Sequence, residues 1–154
     1  MLRKIQRQAG SSRGGKFAIV ASRYNARYVD AMLRAARAEL RRAGASIKIV
    51  RVPGAYEIPL AAVRLARDED APFSAIVCLG VILRGQTVHA EHIGREVSRA
   101  LMDIQLRHEI PVIHEVLLLE NEEQARARCL GAKFNRGAEA AQTALAMAKL
   151  MRSL

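Results

Sequence analysis

Residues Leu79–Ile93 read LGVILRGQTVHAEHI, and the rest of the chain is best understood outward from them. The stretch starts inside an apolar run, Ser74–Leu83, turns at Arg84-Gly85 and continues as a helix. A run apolar nearly throughout suits a central parallel strand covered on both faces. Strand, short turn and helix in that order form the unit of an open α/β sheet, in which ligands bind outside the carboxyl ends of the strands. At that edge the turn offers Gly85, the Gln86 amide, the Thr87 hydroxyl and His89. A helix start presents free N–H groups and partial positive charge, which suit an anion such as phosphate. Gly85 lets backbone approach a ligand closely, and a first-turn His89 can exchange protons with it. An ordinary strand-to-helix turn with a solvated histidine has the same pattern, and the pattern leaves both readings open.

Upstream, Lys16–Ser22 is a strand-type run ending at Arg23-Tyr24-Asn25. Helical spacing over Tyr28–Ala43 puts Met32, Leu33, Ala36 and Leu40 on one face, and Gly44 suits the helix end. Ser46–Val52 is the next strand, and VPGAYEIP, Val52–Pro59, follows with its backbone fixed by two prolines. Glu57 stands near the start of a helix running to Arg67, where its carboxylate caps free N–H groups or points at a polyol or amine. Spacing does not choose between these. Downstream, Ile93, Val97, Leu101 and Ile104 share a helix face that ends near His108. Pro111–Leu118 is the fourth strand, interrupted by His114 and Glu115, which point to opposite faces. Asn121 starts a short helix with Gln124 as capping-box partner. Residues 131–137 read as a loop, and Ala138–Leu154 as a closing helix with Ala144, Met147, Ala148 and Met151 as its core stripe. This alternation predicts a three-layer α/β fold with a four-stranded parallel sheet flanked by helices.

The chain has 154 residues, 51% of them hydrophobic, which suits one domain over residues 16–154. Residues 1–15, basic and rich in Gly and Ser, read as a flexible arm without a signal peptide's apolar segment. No apolar run approaches the ~20 residues that span a bilayer, so a cytoplasmic protein without a membrane partner is expected. The formal charge is +10, but the arginines are dispersed and aromatics make up only 4%, so there is no stacking platform for nucleic acid and none is expected as partner. Cys78 and Cys129 form no CxxC pair and read as buried structural residues. His89 and His92, without a further nearby ligand, are too thin a set for a metal. No GxGxxG follows the first strand, and neither GxxxxGK[ST] nor GxSxG occurs.

Taken together, Arg23-Tyr24-Asn25, Val52–Pro59, Leu79-Gly80, the run Arg84–His89, Pro111–Ile113, Asn121–Ala125 with Arg128, and Asn135–Ala141 resemble the lumazine synthase family of riboflavin biosynthesis. The resemblance covers nearly the whole chain and implies a flavodoxin-like fold. It implies condensation of 5-amino-6-(D-ribitylamino)uracil with 3,4-dihydroxy-2-butanone 4-phosphate to 6,7-dimethyl-8-ribityllumazine, phosphate and water, with no metal or organic cofactor. Tyr24 would stack on the pyrimidine and Asn25 shape its wall. Ala55, Tyr56 and Glu57 would bind the ribityl chain, and Val81, Ile82 and Leu83 would offer backbone groups. Gln86 and Thr87 would hold phosphate beside Gly85, with Arg128 arriving from a neighbouring subunit. His89 would shuttle protons. A homopentamer, a shell of twelve pentamers and partnership with riboflavin synthase are further implications. The sequence departs from the family's usual residues at Tyr24, where Phe or Trp is usual, and at three further positions. His114 and Glu115 stand where Phe and Gly are usual, and Arg136 stands for Lys. His114 can still line the substrate wall, and Arg136 stays with the site as a secondary residue.

Overall fold

A computed structural model of the chain describes residues 14–154. The strands are β1 (Lys16–Ser22), β2 (Ser46–Val52), β3 (Ala75–Leu83) and β4 (Val112–Leu119). The helices are α1 (Ala26–Arg42), α2 (Ile58–Ala66), α3 (His89–His108), α4 (Glu122–Cys129) and α5 (Arg136–Ser153). All neighbouring strands are parallel, in the order β2-β1-β3-β4. Side chains alternate across such a sheet. Phe17, Ile19, Val77, Leu79 and Ile113 therefore pack under Met32, Ala36 and Leu40 of α1 and the alanines of α5. Ala18, Val20, Ile76, Cys78 and Val116 pack under α2 and α3. This is the expected three-layer, flavodoxin-like α/β arrangement. Of the arm expected over residues 1–15, only Gly14 and Gly15 lie among the described residues. Among those residues no helix is long and apolar enough to cross a membrane.

The strand order places a crevice where the connections leaving β1 and β3 turn in opposite directions, between the carboxyl ends of these two strands. Register opens that crevice. β3 pairs with β1 only from Phe17 opposite Ala75 to Ala21 opposite Leu79, but with β4 as far as Leu83 opposite Leu119. Beyond Gly80, which Ser22 still adjoins, the β1-facing edge of β3 has no paired strand beside it.

Several boundaries differ from the sequence reading. α1 starts at Ala26 because Asn25 adopts a left-handed conformation (φ 57°), and the Tyr28 and Val29 N–H groups donate to its carbonyl. Asn tolerates this conformation better than most residues. Gly44 ends the helix as expected, with φ 74° and its N–H on the Arg41 carbonyl, while the Ala45 N–H reaches Leu40. α5 begins at Arg136, inside the expected loop, because buried Asn135 caps it there: its Oδ1 accepts from the Gly137 N–H at 2.9 Å. Gly137 is helical because α5 lies directly on α1, where a Cβ would stand 2.0 Å from the Met32 carbonyl oxygen. Ala148 is the last buried residue of α5, and Met151, expected in the core stripe, lies a turn beyond and is exposed.

Candidate active site

At the carboxyl ends of the strands lies a cleft of about 480 Å³, lined by Tyr24, Ala55, Tyr56, Glu57 and His89 together with His92, Ile93 and Glu96. Local bonding builds its near wall. The Arg23 N–H donates to Val52 (2.8 Å) and the Tyr24 N–H to Pro53 (3.0 Å), tying the end of β1 to the end of β2. Gly54 is required there, since a Cβ would stand 2.9 Å from the Tyr24 ring and 3.1 Å from Glu57 Oε2. Glu57 Oε2 accepts the Gly54 N–H at 2.8 Å, so the carboxylate is anchored by one oxygen in the turn Ala55–Glu57 that leads into α2. The carboxylate thus closes the turn before α2 rather than capping α2 itself, to which it makes no cap bond, and Glu57 also lines the cleft. Both tyrosine rings are about two-thirds exposed, broad faces on which a planar ring can stack.

β3 adjoins the cleft without contributing a lining residue. Asn25 Nδ2 donates to the Val81 carbonyl at 2.7 Å, spanning the crevice between β1 and β3. Val81 and Ile82 are buried and Leu83 partly so, and of their main-chain groups the Val81 carbonyl is the one that Asn25 reaches. The far wall is the start of α3. Arg84 fastens the loop before it, with its guanidinium on Glu120 at 3.0 and 3.2 Å and on Glu91. Gly85, Gln86 and Thr87 are exposed beside His89, and the Thr87 hydroxyl lies 3.4 Å from the His89 N–H. A cleft with two carboxylates, two imidazoles and two aromatic faces can hold a ring bearing amines and hydroxyls. The free N–H groups of the first turn of α3 can hold an anion next to it.

The sequence alone does not single out Ile93 and Glu96 for the site, and offers His92 only as a metal ligand. All three follow His89 at three, four and seven residues, one helix face, so periodicity carried the signal. Among the described residues no cluster of three or more His, Cys, Asp or Glu could hold a metal. Burial pushes the Cys78 thiol up to about 12 and Cys129 to about 11, leaving both as inert thiols.

Asn25, Val81, Ile82, Leu83, Gly85, Gln86 and Thr87 adjoin the cleft without lining it, and the remaining expected site residues lie elsewhere. His114 projects toward α3, where its Nδ1 accepts the Val116 N–H at 3.2 Å and its Nε2 lies 2.7 Å from Ser98 Oγ. With Nδ1 accepting, the ring proton sits on Nε2 and donates to Ser98, whose hydroxyl donates to Gly94 at 2.7 Å. Burial holds the imidazole below its ordinary range. Arg128 lies on α4, with one nitrogen 3.4 Å from the Gln124 carbonyl of its own helix. Glu115, buried on the opposite face of β4 from His114, accepts from Arg136 Nε at 2.7 Å; two of the sequence departures are thus partners. Within one chain, then, the expected residues fall into two groups, one around the cleft and one on β4, α4 and the start of α5.

A family model described as 6,7-dimethyl-8-ribityllumazine synthase matches residues 14–152. Over 142 residues the chain is 42% identical to a 6,7-dimethyl-8-ribityllumazine synthase of Azorhizobium caulinodans, covering 90% of this chain and 88% of that relative. It is 43% identical to the same-named proteins of Stenotrophomonas maltophilia and Xanthomonas campestris pv. campestris, again over 90% of this chain and 90% and 91% of theirs.

Proposed function

Since the chain belongs to the 6,7-dimethyl-8-ribityllumazine synthase family, we propose a division of its site residues between the two substrates and between two subunits. The chain is a transferase of riboflavin biosynthesis. It joins 5-amino-6-(D-ribitylamino)uracil to 3,4-dihydroxy-2-butanone 4-phosphate and releases 6,7-dimethyl-8-ribityllumazine, phosphate and water. Tyr24 stacks on the pyrimidine, while Asn25 and the main chain of Val81, Ile82 and Leu83 border it. Ala55, Tyr56 and Glu57 take the ribityl chain, the carboxylate accepting from its hydroxyls. Gln86 and Thr87 receive the phosphate at the start of α3, beside Gly85.

Imine formation, phosphate loss and ring closure all move protons near neutral pH, and His89 in the cleft is the group suited to carry them. Cationic and N–H donors around the departing phosphate ease its loss, and holding two substrates together supplies much of the rate. Arg128 reaches the phosphate, and His114 and Arg136 the substrate wall, from an adjacent copy of the chain. The observation that carries this reading is the convergence of Tyr24, Tyr56, Glu57 and His89 on one cleft at the β1–β3 crevice. A homopentamer in the cytoplasm, assembled twelvefold into a shell that associates with riboflavin synthase, completes the proposal.

The direct test follows lumazine absorbance and phosphate release together. One phosphate per lumazine, with turnover in His89→Ala slowed roughly ten- to a thousandfold rather than abolished, is the expected result. An unchanged rate in that variant would remove His89 from the proton transfers. A folded oligomer that binds a lumazine analogue without turning over would instead make the chain a binding protein that has lost the chemistry.

A further inference from the structure

Glu115 is a buried carboxylate on a strand whose neighbours Ile113, Val116 and Leu119 are buried and apolar. A charge in such a place requires a partner. Its partner is Arg136, a third exposed at the first position of α5, whose Nε donates to Glu115 Oε1 at 2.7 Å. The same guanidinium donates through Nη1 to Glu139 Oε2, also at 2.7 Å. A guanidinium has five N–H donors in a rigid plane, and two are taken here by carboxylates. Among the described residues Nη2 has no hydrogen-bond partner, so donors remain free on a guanidinium held at two of its nitrogens and about a third exposed. Arg128 and Cys129 of α4 complete the surroundings. An unrestrained arginine has wide rotamer freedom, and directing its donors at a ligand costs that freedom at every binding event.

We propose that Glu115 is a positioning residue: it holds the Arg136 guanidinium so that its free donors face substrate, an inference that rests on the placement of Arg136 at the site. The charge count selects the substrate. The two carboxylates held by Arg136 offset its charge, so it offers a neutral ring oxygen donors but gives a phosphate dianion little attraction, and the neighbouring Arg128 is the cation left for phosphate. Glu115 therefore acts on the heterocyclic substrate and leaves phosphate to other cations.

The test is a double-mutant cycle on the assembled enzyme, with Michaelis constants for both substrates. Arg136→Ala is expected to raise the KM for the pyrimidine roughly tenfold or more, and Glu115→Gly about fivefold, with little change for the butanone phosphate. In the Arg136→Ala background Glu115→Gly should add less than about twofold, because nothing is left to position. Glu115→Gln keeps an oxygen for Nε and should restore most of the affinity lost in Glu115→Gly. Equal effects of Glu115→Gly in both backgrounds, or changes in kcat alone, would overturn the proposal and leave Arg136 at the site. An Arg136→Ala variant with unaltered kinetics would overturn the placement of Arg136 itself, and the proposal with it. If Glu115→Gly does not assemble, Glu115→Ser takes its place in the same cycle.

Discussion

His114 and Glu115 are neighbours on β4 that answer to acid in opposite senses. Burial lowers the His114 pKa from 6.5, so below that pH the unfolded chain binds the proton more readily and folding stability falls. Burial, only partly offset by Arg136, raises Glu115 from 4.5 to about 6. Between those values the folded chain holds more protons than the unfolded one, so stability rises as pH falls. The two slopes oppose each other across the weakly acidic range. Glu115→Gln should therefore lose stability more steeply than the parent between about pH 6.5 and 4.5, while His114→Asn should lose less or gain. Urea midpoints measured against pH would decide it, and parallel curves would count against both assignments. Arg128 is tested by kinetics instead. Arg128→Ala should raise the KM for the phosphorylated substrate about tenfold or more and that for the pyrimidine far less, since a guanidinium fork matches a phosphate. Equal effects on both would argue against a phosphate clamp.

Among the elements, the join between α4 and α5 is the most exacting. Asn135 accepts from the Gly137 N–H and donates to the Cys129 carbonyl at 2.7 Å, so one buried side chain closes one helix and opens the next. Asn135→Ala should cost on the order of 2 kcal/mol, and Asn135→Asp should fail to rescue it because the donor to Cys129 is lost. Gly137→Ala should cost at least as much, on the order of 3 kcal/mol, because α5 must retreat from the Met32 carbonyl. Thermal unfolding would read both, and a neutral Gly137→Ala would mean the two helices slide freely. This join also marks where the sequence stopped being legible. Among the described residues the four strands and four of the helices are legible from period and apolar runs, because each buries a face, while α4 is legible from its Asn121 cap. Gly137 is not, because a glycine that breaks a helix and one that admits a neighbouring backbone look identical in one dimension. The same holds at the site. His89 and Glu57 stood out by position and type, whereas Glu96 needed the helix phase, and the pairing of Glu115 with Arg136 needed the fold to bring β4 under α5.

Across the whole molecule, the cleft and the β4–α4–α5 group are separate surfaces of one chain, which the proposed ring brings together between adjacent subunits. The prediction at this scale is complementation. His89→Ala and Arg128→Ala proteins, each impaired alone, should recover activity when coexpressed. Equal mixing would make about a quarter of the sites wild type in both halves. No recovery in mixed assemblies would place each site within one chain. A further consequence follows from Gly137, whose missing side chain lets α5 rest on the backbone of α1. Inherited change at this codon has almost nowhere to go, since any replacement introduces at least one carbon into space already occupied by Met32. Surface codons on the same helix can drift, while this one stays fixed by the shape of its neighbour. A lineage that did replace it would be expected to carry a second change in α1, and the two would be found together or not at all.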